Sequence, residues 1–229
     1  AKTKRVGFGA GFSTNDGARA RLSYDDVNFL DRAWTFASGL SIGSRESFAY
    51  ADVFFPPTAK GYRDSIGALA DRSDIQGLLT DSLSAAVERS RIQGGIENRY
   101  TVSLLRERDQ PSGEVAGSTT TLALNWSWTY RAIDNPLDPR DGYVVDVKLG
   151  GAAKVLFSDQ NFVRGYGRVQ YFYPIGARDS AILRAELGYI AAPDRNGIPE
   201  TYLFRTGGTQ TVRGYAYQSL GVQEGDAVV

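Results

Sequence analysis

The sequence of 229 residues contains no cysteine, no histidine and no methionine. Without cysteine, the chain has no disulfide, no thiolate metal ligand and no cysteine nucleophile. Without histidine, it lacks the commonest general base and the commonest metal ligand. No other grouping of side chains indicates catalysis. We therefore expect a protein that is not an enzyme and that has no cofactor and no metal.

Charge and hydropathy exclude two further classes. The 26 basic and 26 acidic residues cancel, so no global field favours nucleic acid as a partner. No apolar run approaches the roughly 18 residues that a transmembrane helix requires. A transmembrane β-strand, however, exposes only every second residue to lipid, so a mean hydropathy of -0.30 is compatible with it. The composition leaves membrane β-barrels open.

Strict period-two alternation is the strongest pattern in the sequence. Apolar residues take the even positions from Leu122 to Tyr130, and polar residues take most odd positions from Thr121 to Arg131. About ten such residues cross a bilayer at a tilt. Further segments with this pattern are 6–12, 19–24, 33–43, 47–55, 61–71, 82–91, 99–108, 143–150, 163–173 and 181–189. We count about 11 strands and no second domain, which predicts an all-β, antiparallel, up-and-down fold.

Charged residues lie in the middle of the polar strand faces. Those in the second half include Asp146, Arg164, Arg168, Arg184 and Glu186. A soluble β-sandwich with one solvated face would alternate in the same way, so periodicity alone leaves that alternative open. Aromatic residues that cluster at strand ends, such as Trp126 and Trp128, are typical of the girdles of a membrane barrel. They favour a transmembrane β-barrel whose lumen is lined by these charges.

The predicted connections differ between the two ends of the strands. A tight turn is expected at 14–17, and the connections after even-numbered strands are short. Several connections after odd-numbered strands are longer, such as 72–81 and 110–117. Outer-membrane barrels have short periplasmic turns and longer extracellular loops. We therefore expect residues 1–192 to form strands 1 to 11 of the barrel and residues 193–229 to form an extracellular loop.

Two segments have a superficial likeness to ligand sites. The Asp-rich segment 134–141 could offer oxygen ligands to calcium, but its two prolines favour a rigid turn. Gly165 and Gly167 could suggest a phosphate loop, but they lie in a strand pattern and no helix follows them. Glycines on one strand face more often allow close packing or bending of a barrel wall.

The segment from Phe204 to Gly221 has four glycines, two arginines and no acidic residue. It could be an ordinary surface loop, because glycine adopts positive φ easily. Docking inside a polar lumen is favoured instead, since the five donors of Arg213 suit such a site. Carboxylates such as Asp146 and Glu186 are candidate partners for that arginine.

This segment carries a family resemblance. Val212, Arg213, Gly214 and Tyr215, together with Gly207 and Gly208, resemble the motif of the sixth extracellular loop in the outer-membrane-protein insertase superfamily. With segments 6–14 and 134–143, the likeness extends over the chain and is closest to the TamA family, the barrel subunits of the translocation and assembly module. It implies a sixteen-stranded barrel in the bacterial outer membrane, preceded by POTRA domains, and it implies that the loop of residues 193–229 folds into the lumen. Five strands, the POTRA domains and an acidic partner for the motif arginine would lie outside these residues.

The resemblance also implies a function. Such proteins help autotransporters and other β-barrel clients to insert into the outer membrane, through a seam between the first and last strands. The first strand offers a candidate lateral gate, because its glycine face gives a neighbour few side-chain contacts; the gate residues are Gly7, Phe8, Gly9, Ala10 and Gly11. Expected partners are outer-membrane lipids, β-barrel clients and a TamB-like protein anchored in the inner membrane. A BamA-type general insertase and a two-partner-secretion pore are the alternatives.

Overall fold

The structure is a computed structural model that describes residues 3–13, 17–113, 115–176, 179–208, 211–224 and 227–228. Eleven strands form one sheet in chain order, and each is antiparallel to the next. Their bounds are β1 Lys4–Ser13, β2 Gly17–Phe29, β3 Trp34–Gly43, β4 Glu46–Phe54, β5 Tyr62–Ile75, β6 Leu78–Gln93, β7 Ile96–Pro111, β8 Gly117–Ile133, β9 Gly142–Ala152, β10 Phe162–Ile175 and β11 Asp179–Ala191. The all-β, up-and-down prediction and the count of 11 strands are confirmed. Residues 14–16 of the predicted tight turn lie outside the described residues.

The register of the strands separates two faces. Thr129 of β8 lies opposite Asp146 of β9, which in turn lies opposite Arg168 of β10. We call this side of the sheet the polar face. The alternate residues form the outer face, where large apolar side chains such as Phe8 and Leu187 are 84% and 78% exposed. In a membrane barrel an apolar outer face of this kind contacts lipid.

Connections after the odd-numbered strands are shorter than the sequence pattern predicted. Only Gln76 and Gly77 join β5 to β6, both with positive φ, in place of the expected loop at 72–81. The ladder continues to this turn because polar residues pair across it, as Arg72 does with Asp81 at 3.5 Å. Similarly, β7 extends to Pro111 before the connection to β8. The predicted asymmetry between the two ends was therefore wrong for these hairpins.

Irregular structure is concentrated in the connection 153–161 and after β11. Two 3-10 helices lie there, Lys154–Leu156 and Glu200–Tyr202, and two short strands, β12 (Gln223–Glu224) and β13 (Ala227–Val228), pair near the end. Within the described ranges, no helix is both long enough and apolar enough to cross a membrane. In the same ranges, β1 and β11 are the two edges of the large sheet.

Candidate functional site

The segment after β11 crosses the polar face of the sheet. We call its described residues, 193–208, 211–224 and 227–228, the crossing segment. Phe204 packs on Gly188 of β11, whereas the backbone oxygen of Tyr217 accepts a hydrogen bond from Gln76 in the β5–β6 turn. The segment therefore spans from one edge of the sheet to its middle, and it covers the strands in between.

Glu107 of β7 holds the beginning of the crossing segment. This residue is 1% exposed, and its carboxylate accepts hydrogen bonds from the backbone N–H of Glu200 at 2.5 Å and from the hydroxyl of Thr201 at 2.6 Å. Arg195 donates to the carboxylate of Glu200 at 3.0 Å, yet burial raises the pKa of Glu200 above its ordinary value of 4.5. A buried carboxylate with two donors is a strong local anchor, since hydrogen bonds to a charged group are worth about 1.5–3 kcal/mol each.

Tyr202 makes the next contacts with the sheet. Its hydroxyl lies 3.3 Å from the hydroxyl of Ser103 and accepts a hydrogen bond from Asn125 Nδ2 at 3.4 Å. Its ring packs against Phe162 of β10, with the ring centroids 5.1 Å apart. The polar end of Tyr202 is thus satisfied on β7 and β8 while its apolar body is covered, as a buried tyrosine requires.

Phe204 completes this row of contacts. Its ring centroid lies 4.2 Å from Cζ of Arg164, which is a cation–π contact. The ring also packs on Gly188, where an added Cβ would lie only 2.7 Å from it, and it stacks on Tyr166 at 6.3 Å. Arg164, predicted as a lumen charge, therefore supports the crossing segment. The glycine at position 188 provides the space for the ring.

The other predicted lumen charges also lie on the polar face. Arg168 donates to the carboxylate of Asp146 at 2.6 and 2.9 Å, and Arg184 lies 3.7 Å from Glu186. Asp146 and Glu186 were the carboxylates considered as partners of Arg213. The structure instead places each of them beside an arginine of β10 or β11.

The family motif lies in a tip that closes on itself. The backbone groups of Thr206 and Leu220 exchange hydrogen bonds of 2.8 and 2.9 Å, and they form the neck of this tip. Gly207, Gly208 and Gly214 have φ values of 117°, 93° and 96°. Side chains other than glycine rarely adopt such angles, so these three glycines shape the tip.

Arg213 is exposed in this structure. With Gly214 and Tyr215 it lines a cavity of about 590 Å³, whose other walls include Glu46 and Asp74 at the ends of β4 and β5. Among the described residues, no hydrogen bond or ion pair involves Arg213. Val212 and Tyr215 are 38% and 55% exposed. The role of Arg213 as the anchor of the loop stays a prediction.

Sequence reasoning missed the contacts that hold the crossing segment here. Glu107 was one of many charges in a strand, and its partner Thr201 is 94 residues away in sequence. The sequence feature that could have indicated these contacts was Gly188, a lone glycine within a strand. Such a glycine often marks a close approach by another group.

The predicted gate residues lie in β1 at the edge of the sheet. Gly7, Gly9 and Gly11 face the polar side, and Phe8 and Ala10 face outward. A Cβ at position 9 would meet its neighbours at an ordinary distance of 3.9 Å, so this glycine is not required by packing against β2. On its polar face β1 offers mainly backbone to a partner strand.

The Asp-rich segment 134–141 forms a turn between β8 and β9. Asp134 Oδ1 accepts hydrogen bonds from the backbone N–H groups of Arg140 at 3.0 Å and Asp141 at 3.2 Å. The first of these bonds contributes most to a pKa of Asp134 below its ordinary value. The part of the chain that the structure describes contains no group of three or more acidic residues arranged to hold a metal ion.

Comparison with known proteins relates the chain to one protein family and to solved structures. A family model described as the Omp85 superfamily domain matches residues 2–229. Among solved structures, the crystal structure of BamA from Haemophilus ducreyi lacking POTRA domains 1-3 is similar with a TM-score of 0.84, over 97% of this chain and at 12% sequence identity. This chain spans 47% of that BamA chain, or about half of its length. At this identity the likeness shows a shared fold.

Proposed function

The chain belongs to the Omp85 superfamily, and on this premise we propose that it is the barrel part of a non-enzymatic assembly factor of the bacterial outer membrane. It would help β-barrel proteins, autotransporters among them, to insert into that membrane. The family and the BamA-like sheet support a location in the outer membrane. They also support assignment to a class of insertases and translocators.

The observation that carries this proposal is the edge strand β1. Its glycines at positions 7, 9 and 11 leave few side-chain contacts on the polar face, so pairing with a neighbouring strand depends mainly on backbone hydrogen bonds. An unpaired backbone group in hydrocarbon costs several kcal/mol. An open β1 edge would therefore favour pairing with an incoming strand of a client, which is strand addition at a sheet edge.

Within the superfamily we propose a TamA-type role, together with a TamB-like partner anchored in the inner membrane. The resemblance of segments 134–143 and 212–215 to the TamA family supports this narrower assignment. A count of the POTRA domains in the full-length protein would separate it from a BamA-type general insertase. In this proposal Arg213, Gly214 and Tyr215 belong to a loop that stays with the barrel during client insertion.

A reversible cross-link tests the seam. A disulfide between cysteines at Phe8 and on the closing strand of the full-length protein should block client assembly, and reduction should restore it. Residues 1–229 contain no cysteine, and any cysteine elsewhere in the full-length protein is first replaced by serine. A matched control places cysteines at Ala68 and Ala85, which face each other on β5 and β6. Normal client assembly with the seam cross-linked would refute lateral opening.

A protein-translocating pore is the second candidate. The charges of the polar face favour it, because Arg168, Asp146, Arg184 and Glu186 provide a charged wall for a passage. Planar-bilayer recording from the full-length protein distinguishes the two candidates. A pore predicts steady conductance with an ion selectivity that changes in Arg184→Gln, whereas an insertase with a plugged lumen predicts small and brief openings.

A further inference from the structure

The outer face carries a groove of about 1040 Å³ that extends across β5 to β10. One row of cross-strand partners forms its length: Ile66, Val87, Val102, Leu124, Gly151 and Val163. Five strand spacings of about 4.8 Å make this row about 24 Å long. The groove is thus an extended apolar channel on the side of the sheet that faces lipid.

The row crosses the apolar belt diagonally. Ile66 is near the beginning of β5, and Val163 is near the beginning of β10. Because β5 and β10 run in opposite directions, these two beginnings lie at opposite ends of the sheet. Such a diagonal follows from the stagger of strands in a barrel. A chain molecule lying in the groove would pass from one membrane interface into the hydrocarbon.

The end of the groove at β5 and β6 is cationic. Arg89 donates two hydrogen bonds to Asp64, at 2.7 and 2.9 Å, and both residues line the groove. Arg91 lies next on the same face, and both arginines are placed over the ring of Tyr62, at 5.5 and 5.1 Å. Among the described residues, Arg91 has neither a hydrogen bond nor an ion pair through its side chain. Glu88 also lines the groove, but its carboxylate lies on the polar face, 3.5 Å from Arg99. On the outer face, two arginines and one aspartate therefore leave a net positive charge at this end.

The backbone at Gly151 sets the depth of the groove. Gly151 lies in the row between Leu124 and Val163, and a Cβ there would be 2.6 Å from the backbone oxygen of Phe162. A side chain at this position would have to displace the neighbouring strand. The depression between β8 and β10 is therefore a fixed property of the wall.

We propose that this groove binds one glycerophospholipid. An acyl chain lies along the row from Ile66 to Val163, and the phosphate of the headgroup contacts Arg91 and the exposed edge of Arg89. Arginine suits this role because its planar guanidinium binds phosphate oxygens through two parallel hydrogen bonds. The site is on β5 to β10, away from the β1 edge, and it is independent of client insertion.

The test uses the full-length protein in a phosphate-free detergent such as dodecyl maltoside. Native mass spectrometry after addition of dioleoyl phosphatidylglycerol should show one lipid retained per barrel. Arg91→Gln should lower the fraction of barrels with retained lipid about tenfold, since it removes a charge-assisted contact. Leu124→Trp should lower it as well, because the larger ring fills the groove and leaves both arginines in place.

Two controls separate this site from general adhesion of lipid. Arg72 is an outer-face arginine that also pairs with an aspartate across β5 and β6, but it lies at the other end of these two strands. The variant Arg72→Gln should therefore retain as much lipid as the wild type. Dioleoylglycerol, which lacks the phosphate, should be retained as poorly by the wild type as phosphatidylglycerol is by Arg91→Gln. Heat-modifiable migration in electrophoresis shows that each variant is folded. Wild-type retention in Arg91→Gln or in Leu124→Trp, or equal loss in Arg72→Gln, overturns the proposal.

Discussion

Replacing Glu107 by glutamine should release the beginning of the crossing segment. The carboxylate accepts one hydrogen bond at each oxygen, from the N–H of Glu200 and the hydroxyl of Thr201. Glutamine has nearly the same shape but only one acceptor oxygen. With that oxygen on the N–H of Glu200, its amide NH₂ group faces the hydroxyl of Thr201, which can rotate to accept from it. Both contacts then persist, but without the negative charge that strengthens them.

The magnitude follows from these two bonds. A hydrogen bond to a charged acceptor contributes about 1.5–3 kcal/mol, whereas one between neutral groups contributes about 0.5–1.5 kcal/mol, so each of the two bonds loses about 1 kcal/mol. A net loss of about 2 kcal/mol is expected, which corresponds to about a 30-fold change in the equilibrium between docked and undocked segment. Thr201→Val removes only one bond and should cost about 1 kcal/mol.

Cysteine labelling measures this equilibrium. Ile198 is 6% exposed, and a cysteine at that position is the sole thiol of the chain. Its rate of reaction with a maleimide reports the open fraction when opening is fast. The rate should rise about 30-fold with Glu107→Gln. Thr201→Val should cost less in the double variant than it costs alone, because it then removes a neutral hydrogen bond in place of a charge-assisted one.

An unchanged labelling rate in Glu107→Gln would refute the anchor, provided that the cysteine reacts fully in denaturant. Equal and additive effects of the two substitutions would also contradict the reasoning, since they would show that Glu107 and Thr201 act separately. A variant at Glu97, which pairs with Arg99 and Arg131 on the polar face, is the matched control. Glu97→Gln should leave the labelling rate unchanged.

Three further outcomes are expected. Gly188→Val should push the ring of Phe204 off β11 and raise the Ile198→Cys labelling rate roughly tenfold, through loss of about 1.4 kcal/mol of contact. Because the pKa of Glu200 is raised by burial, docking should be strongest below its ordinary pKa of 4.5 and weaken as pH rises through the raised value; Glu200→Gln should flatten that profile. The pKa of Asp134 is lowered, so the turn it caps should resist protease above pH 3.8 and open as pH falls, and Asp134→Ala should be cut at all pH values.

The strands could be predicted because their physical signal is local. Alternation such as that from Leu122 to Tyr130 needs only neighbouring residues, and it correctly identified every strand of the sheet. The signal failed at 72–75 and 78–81, where polar residues such as Arg72, Ser73 and Thr80 occur on both faces of β5 and β6 among a few apolar ones. A strand end with two polar faces has the composition of a loop, and only the pairing seen in the structure distinguishes the two.

The contacts of the crossing segment could not be predicted for a different reason. Glu107 and Thr201 are far apart in sequence, and a carboxylate in a barrel lumen is chemically the same whether it meets water, an arginine or a distant backbone N–H. Phe204 was part of the segment that the sequence singled out, but its partner Arg164 was only one of several arginines. Docking partners of this kind depend on the register of the whole sheet.

The closed neck at Thr206 and Leu220 makes the tip of the crossing segment a separate module. The pair of backbone hydrogen bonds between these two residues separates the tip from the anchor at Glu107. A distortion of the tip is therefore not passed directly to that anchor. The tip can therefore be exchanged for a peptide tag or for the tip of a relative, with the base of the segment still seated on the sheet. The hydrogen bond from Gln76 to the tip survives such an exchange, because it ends on the backbone oxygen at position 217 and needs no particular side chain.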